Sequence, residues 1–358
     1  MRRLILLLAG VLAIFPVLAL AALPESAAVA RGAAFIRTTQ QADGGFGGFG
    51  DGQTFDAIYA LRSAGIDPAT VTTGGKSPAD FLRTKAASQD KPANAAKAAL
   101  AAVAMNLDPR NVSGTDLVSR VEAGYNATTG RYGADDFTQS VAVLGLVCTG
   151  NAAPNRAILA LRTSQLADGG WGFEGASDPD TAAVAAQALV AAGIPASDAT
   201  LTKALTYFKK TQAADAGWGF DPTSGNASST AFVVQALLAL GENVESAAYR
   251  KGAATPVSFL VSQQEADGSF KGFDPGFAAN QVLPALAGRT FCNAPRTVVH
   301  AAPPTAPPAV TATPARPTAP LPPNTGSGYA HRDGTMLVLA GLVLMIVGAS
   351  AVRLRRRS

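Results

Sequence analysis

Gln165-Leu166-Ala167-Asp168-Gly169-Gly170-Trp171 closes a run of helix-forming residues that begins at Arg156. Two consecutive glycines and an aromatic ring then follow, so the stretch reads as a helix ending in a tight turn. The same phrase returns as Gln40 with Asp43-Gly44-Gly45-Phe46, as Gln212 with Asp215-Ala216-Gly217-Trp218, and as Gln264 with Asp267-Gly268-Ser269-Phe270. Four copies in register make this a repeat chain, and the repeat decides the fold.

Working outward, the chain divides into six units over residues 25–67, 77–109, 116–150, 154–193, 199–241 and 254–288. Each holds a first helix, a turn and a second helix. The second unit puts Ser88-Gln89-Asp90-Lys91-Pro92 where the aromatic turn belongs, and the third has a degenerate turn at 126–133. Helix stops repeat as well: Gly65, Asn106 and Gly193 each precede an apolar residue and a proline, and Gly241 is a fourth stop. The second helices (140–147, 181–192 and 230–240 among them) are apolar all round, which suits a helix buried on every side. First helices such as 201–211 carry Lys and Thr on one face. Alternating strand patterns are nearly absent. The expected class is all-α, an α6/α6 toroid of six helical hairpins with an inner and an outer ring.

The two ends read differently. Arg2 and Arg3 precede an apolar run to Leu20, and Ala19-Leu20-Ala21 offers small residues at the positions a signal peptidase needs, so residues 1–21 are expected to be a signal peptide. The toroid is then expected over 22–290 and a Pro/Ala/Thr-rich stalk over 291–334. Within the stalk, 321–326 (Leu-Pro-Pro-Asn-Thr-Gly) resembles a sortase sorting signal, imperfectly, because the pentapeptide ending at Gly326 starts with Pro322. An apolar run at 335–352 is expected to span a membrane, with the basic tail 353–358 on the cytoplasmic side. These features imply a protein secreted across a membrane and anchored at the cell surface, by that helix or by cell-wall attachment.

The basic surplus of the whole chain, 29 Lys and Arg against 25 Asp and Glu, comes from these ends. Residues 1–21 and 301–358 hold eight arginines and one acid, so the part between them is acidic by about three charges and offers no basic face for nucleic acid. The two cysteines, Cys148 and Cys292, would lie in an oxidising space; their pairing is open at this point.

The repeated residues Gln40, Phe46, Gln165, Trp171, Gln212, Trp218, Gln264 and Phe270 have a physical role in such a scaffold. A glutamine amide can bond backbone groups of the turn and of the next helix start, and the ring can wedge neighbouring units together. At these residues the chain resembles the QW-motif repeats of the squalene–hopene cyclase and prenyltransferase superfamily, over nearly all of 25–288. The resemblance implies an α6/α6 barrel. Cyclases, protein prenyltransferases, cobalamin carriers and thioester domains share that architecture, so the fold leaves function open.

The resemblance also implies where chemistry would sit. The cyclases protonate an alkene with the middle Asp of Asp-x-Asp-Asp-Thr-Ala; here Ser177-Asp178-Pro179-Asp180-Thr181-Ala182 keeps only the last acid, Thr and Ala, with Ser177 and Pro179 in place of the other two acids. Asp178-Pro179-Asp180 also suits a helix start. The prenyltransferases hold zinc with Asp, Cys and His, but both histidines here, His300 and His331, follow the last unit. No metal site and no cofactor are expected. The thioester domains' Cys-Gly-Glu-Gln is missing.

One constellation remains. Parallel inner helices gather their N-termini at one mouth, where Asp56, Asn94, Asp135, Asp136, Asp178, Asp180, Ser228, Ser229 and Asn280 are expected to meet. They could bind a polar or cationic ligand or pair carboxylates, with Asp178, Asp180, Asp135 and Asp136 as the catalytic candidates; six ordinary N-caps would use the same residue types. The leading expectation is a surface-anchored binding module for a small apolar or cofactor-like ligand or a surface polymer, with the membrane and a sortase as further partners. The alternatives are an extracytoplasmic enzyme of isoprenoid chemistry and a structural or adhesive module.

Overall fold

The computed structural model describes residues 25–293; the segments read as signal peptide, sorting signal and membrane span lie outside the described residues. Among the described residues there are twelve α-helices: α1 (Ser26–Thr38), α2 (Asp51–Ser63), α3 (Pro78–Lys85), α4 (Pro92–Ala104), α5 (Leu117–Ala123), α6 (Asp136–Cys148), α7 (Asn155–Thr163), α8 (Pro179–Ala191), α9 (Ala199–Thr211), α10 (Ala227–Ala239), α11 (Pro256–Ser262) and α12 (Pro275–Leu286). No described helix is long and apolar enough to cross a membrane.

The even-numbered helices form an inner ring. Each packs on the next, from α2 through α4, α6, α8 and α10 to α12, and α12 packs back on α2 and also on α1. The ring is therefore closed. Its helices are rich in alanine because they approach closely: a Cβ added at Gly145 of α6 would lie 2.3 Å from the Cβ of Ala96 on α4. Only hydrogen or methyl side chains fit such a seam. The odd-numbered helices lie outside and bury one face each, for example Leu201, Ala204 and Phe208 of α9.

The repeated glutamines join neighbouring hairpins. Gln165 Nε2 donates to Gly169 O (2.9 Å) in its own turn and to Thr200 O (2.8 Å) at the start of α9. Gln40 does the same with Gly44 O and Val71 O (3.2 and 3.1 Å), and Gln212 with Ala216 O and Tyr249 O (3.0 and 2.8 Å). Gln264 donates to Gly268 O (3.2 Å) and to Ala28 O (2.9 Å) on α1, which ties the last hairpin to the first. The degenerate third turn has no glutamine there, yet Gln139 reaches out from α6 to Gly130 O and Ala157 O (3.1 and 3.0 Å). The same pair of carbonyls is served from a different helix.

Each turn is further fixed by its aspartate and glycine. Asp43, Asp168, Asp215 and Asp267 accept from the backbone N–H two residues on, at 2.9–3.0 Å. Gly169 has φ 92°, and a Cβ there would lie 2.4 Å from Lys203 O of the next unit, so both the conformation and the contact demand glycine. The rings are buried completely, and the indoles of Trp171 and Trp218 donate to Leu161 O (2.7 Å) and Phe208 O (2.8 Å) near the ends of α7 and α9. They satisfy carbonyls that a helix C-terminus leaves without a partner.

One boundary needs correction and one detail is added: the otherwise helical fold carries a short antiparallel hairpin, β1 (Trp171–Phe173) and β2 (Ala176–Asp178). Glu174 and Gly175 connect the strands with positive φ at both positions, the geometry whose twist matches a two-residue hairpin. The expected stalk boundary at 291 is too early. Cys292 is disulfide-bonded to Cys148 at the end of α6, so the segment following α12 belongs to the toroid.

Gln264→Ala strands two carbonyls at the seam between the last and first hairpins. The expected loss is about 2 kcal/mol of unfolding free energy in urea titration. Serine at Cys292 removes a link across 144 residues and is expected to cost about 2–5 kcal/mol, with a matching drop when the wild type is reduced.

Candidate functional site

The inner ring offers two places for a ligand: the chamber on its axis and the mouth where the helix N-termini gather. The chamber is filled. Phe291 enters from the C-terminal ends of the inner helices and packs against Tyr59 of α2 (ring centroids 5.8 Å apart) and Phe232 of α10 (6.4 Å). Tyr59 donates its hydroxyl proton to Thr290 O, and Phe291 N–H donates to Gln187 Oε1 (3.3 Å). Beneath Phe291 a void of about 10 Å³ remains, lined by Asp56, Gln235, Asn280, Gln281 and Pro284. That is room for about one water.

Two residues expected at the mouth belong to this interior. Asp56 and Asn280 lie one and a half turns into α2 and α12, too deep to cap either helix. Asp56 Oδ2 accepts from Lys97 Nζ of α4 (2.7 Å) and from Gln281 Nε2 (3.3 Å). Asn280 Nδ2 donates to Gln53 O (3.2 Å), while its Oδ1 and the Oε1 of Gln235 have no partner. Sequence position placed these residues near the N-termini; depth along the helix needed the structure.

The other expected residues do reach the mouth, with distinct duties. Asp135 and Asp178 are N-caps, accepting from Thr138 N (2.7 Å) and Thr181 N (2.8 Å). Asp136, beside the cap of α6, is paired with Arg131 (2.7 Å). Asn94 lies in the first turn of α4, after a flanking Lys91 that makes no side-chain cap. Ser228 and Ser229 are buried in the first turn of α10; the cap there is Asn226, whose Oδ1 accepts from Ser229 N (2.8 Å). Of the nine expected residues, Asp178 and Ser229 both act on Asp180, the first through its charge and the second through a hydrogen bond.

Asp180 is the unusual member. It is 4% exposed and its Oδ1 has no partner. Burial first, and the neighbouring Asp178 second, push its carboxyl up to about 7, against an opposing hydrogen bond with Ser229. Burial also raises Asp178, opposed by its bonds from Thr181. Asp180 is therefore a dry carboxyl on α8 that holds its proton well above the usual carboxylate range, at the last acid of the Asp-x-Asp-Asp-Thr-Ala phrase. Among the described residues no group of three or more His, Cys, Asp or Glu side chains could hold a metal ion.

A further feature of the mouth escaped the sequence reading. Phe49, Phe173, Phe220 and Phe273 are 52%, 38%, 38% and 52% exposed. Each follows its buried motif ring by two or three residues, so the four occupy matching places in four turns. Phe49 and Phe273 touch edge to face across adjacent turns, 5.3 Å apart, and Phe273 meets Phe277 at 5.3 Å. The signal was present as a second aromatic in every intact turn, but a repeated aromatic suggests packing before exposure.

The squalene-hopene cyclase C-terminal domain model matches residues 155–280. That stretch includes the intact turns at Gln165, Gln212 and Gln264. Over that third of the chain the sequence is similar to the squalene-hopene cyclase C-terminal family. Among solved structures it is similar to the type II terpene cyclase MstE from Scytonema, at 15% identity over 73% of this chain and 97% of that one, with a TM-score of 0.56. A variant of that enzyme in complex with geranylgeranyl dihydroxybenzoate gives 14% identity over 74% and 96%, and 0.58. A glycosidase variant in complex with glucose gives 12% identity over 74% and 96%, and 0.50. At these identities the likeness is one of fold. No curated protein matches the chain.

The pH dependence of the toroid follows from Asp180. Its folded-state carboxyl sits above the ordinary 3.8, so the folded protein holds this proton over a range where the unfolded chain has lost it. The contribution to stability therefore falls as pH rises from about 4 to about 7 and is level above that. Asp180→Asn is expected to flatten this slope and to raise stability relative to wild type at pH 8, read by thermal melts across the range.

Proposed function

We propose that the protein is a surface-anchored binding module built on a cyclase-type toroid of six hairpins, and that recognition takes place at the glycine-aromatic turn end. The observation that carries this reading is the occupied chamber together with the four exposed phenylalanines at the opposite end. A cyclase needs an enclosed space for a long apolar chain beside its acid; here Phe291 and its disulfide-bonded neighbour take that space. An aromatic patch repeated in register and left in solvent is the kind of surface that marks an interaction site.

Anchoring rests on the expected signal peptide and the apolar segment 335–352, and the Cys148–Cys292 disulfide supports an oxidising location. Both ends of the described region leave away from the exposed rings. The first helix runs toward its turn, so Ser26 starts at the far end, and Cys292 is bonded to the last residue of α6 at that same end.

Native mass spectrometry of the full-length protein from its own host tests this reading. The expected mass is that of the processed chain alone, with binding to host cell envelopes that is lost in Phe173→Ala/Phe220→Ala. A stoichiometric small molecule, retained in that ring variant and released by changes around Phe291, would sink it in favour of a chamber carrier.

Acid chemistry is the second reading, and the buried Asp180, with its raised carboxyl and an Oδ1 without a partner, favours it. Conversion of geranylgeranyl dihydroxybenzoate to a product of equal mass, abolished in Asp180→Asn while the melting curve stays cooperative, would establish it. No conversion under conditions where a terpene cyclase turns over would remove it.

A further inference from the structure

Each exposed ring at the turn end has a carboxylate within two residues. Asp51 follows Phe49 after one glycine, Glu174 follows Phe173, Asp221 follows Phe220, and Asp274 follows Phe273. Ring and acid are thus repeated together, four times, around one mouth. The acids have local duties as well: Asp274 caps α12, Asp221 accepts from Thr223 N (2.9 Å), and Asp51 accepts from Gln89 Nε2 (2.8 Å). Those bonds fix carboxylates in place beside the rings while leaving their charge.

The basic side chains nearby offset that charge only in part. Lys85 is turned to Asp51 (3.5 Å), Lys97 to Asp56 (2.7 Å), Arg131 to Asp136 (2.7 Å) and Lys271 to Glu265 (3.7 Å). Lys85 thus offsets one of the four ring-side acids, while the other three basic groups are committed to acids outside that set. An anionic surface such as a lipid bilayer or an acidic polymer would be repelled from this mouth. An ammonium or guanidinium group is held favourably by both components, through the ring face and through the carboxylate.

Resting on the reading of this end as the binding face, we infer that its partner is a cationic polypeptide segment. Lysine or arginine side chains spaced along one extended chain would be gripped by successive ring and acid pairs.

Surface-based binding of the full-length protein to poly-L-lysine, poly-L-glutamate and dextran tests the inference. Poly-L-lysine is expected to bind, more weakly as salt rises, and at least tenfold more weakly to Phe49→Ala/Phe273→Ala. Leu159→Ala, which removes an exposed apolar side chain on α7, is expected to bind as wild type does. Poly-L-lysine binding unchanged in the ring variant would overturn both the partner class and the binding face. Ring-dependent binding of dextran or poly-L-glutamate, without poly-L-lysine, would overturn the partner class and leave the face standing. No binding of poly-L-lysine at low salt also overturns the inference.

Discussion

One amide group recurs at the seams of this toroid: a glutamine Nε2 that donates to two backbone carbonyls, one in its own turn and one in the next hairpin. A carbonyl at a helix end or in a turn is costly to bury without a donor. Each turn produces such a carbonyl where it meets its neighbour, and the two hydrogens of one amide satisfy both sides. The bond therefore does more than stabilise a turn. It joins successive hairpins at five seams of the ring; at the seam after the second hairpin Arg120 of α5 donates to Ala87 O and Gln89 O instead. Gln264 shows the constraint most directly, because its second acceptor, Ala28 O, lies at the opposite end of the described chain.

The third hairpin shows that the carbonyls matter more than the motif. Its turn has lost the glutamine and kept only Tyr132 as a ring, yet Gln139 of α6 meets the equivalent pair of acceptors. The seam is preserved by chemistry rather than by sequence position. This marks the boundary of what the sequence made legible. The repeat, the two layers, the stops at Gly65, Asn106, Gly193 and Gly241 and the buried alanine-rich helices all follow from local patterns. A substitution such as Gln139 does not, because its partner carbonyls are fixed only once the hairpins have docked.

The same division runs through the candidate site. Caps were legible: Asp135 and Asp178 precede apolar helices and do what such residues do. Asp180 was legible as a position and not as a state, since its protonation depends on burial between α8 and α10 that no spacing reveals. Asp56 and Asn280 were misplaced by a turn and a half, because an acid near a helix start looks like a cap until the start is known to a residue. The tail was misjudged for a different reason. Residues 289–293 have no periodicity, and the disulfide and the two ring contacts that draw them into the barrel are long-range.

Filling the chamber has a consequence for where function can reside. An inner ring of six helices with methyl-sized seams leaves an axial space that must be lined, occupied or wet. Here an aromatic residue from the chain itself occupies it, and the disulfide holds that occupant in the folded ensemble without any ligand. The energy that a carrier would draw from burying its cargo has gone into the fold. What remains in solvent is the other end, where the turns that close the ring also present a second ring and an acid apiece. The scaffold bonds make those turns rigid, and a rigid turn can hold an exposed phenylalanine at a fixed spacing from the next. The repeat that closes the toroid is thus also the device that spaces its outer surface.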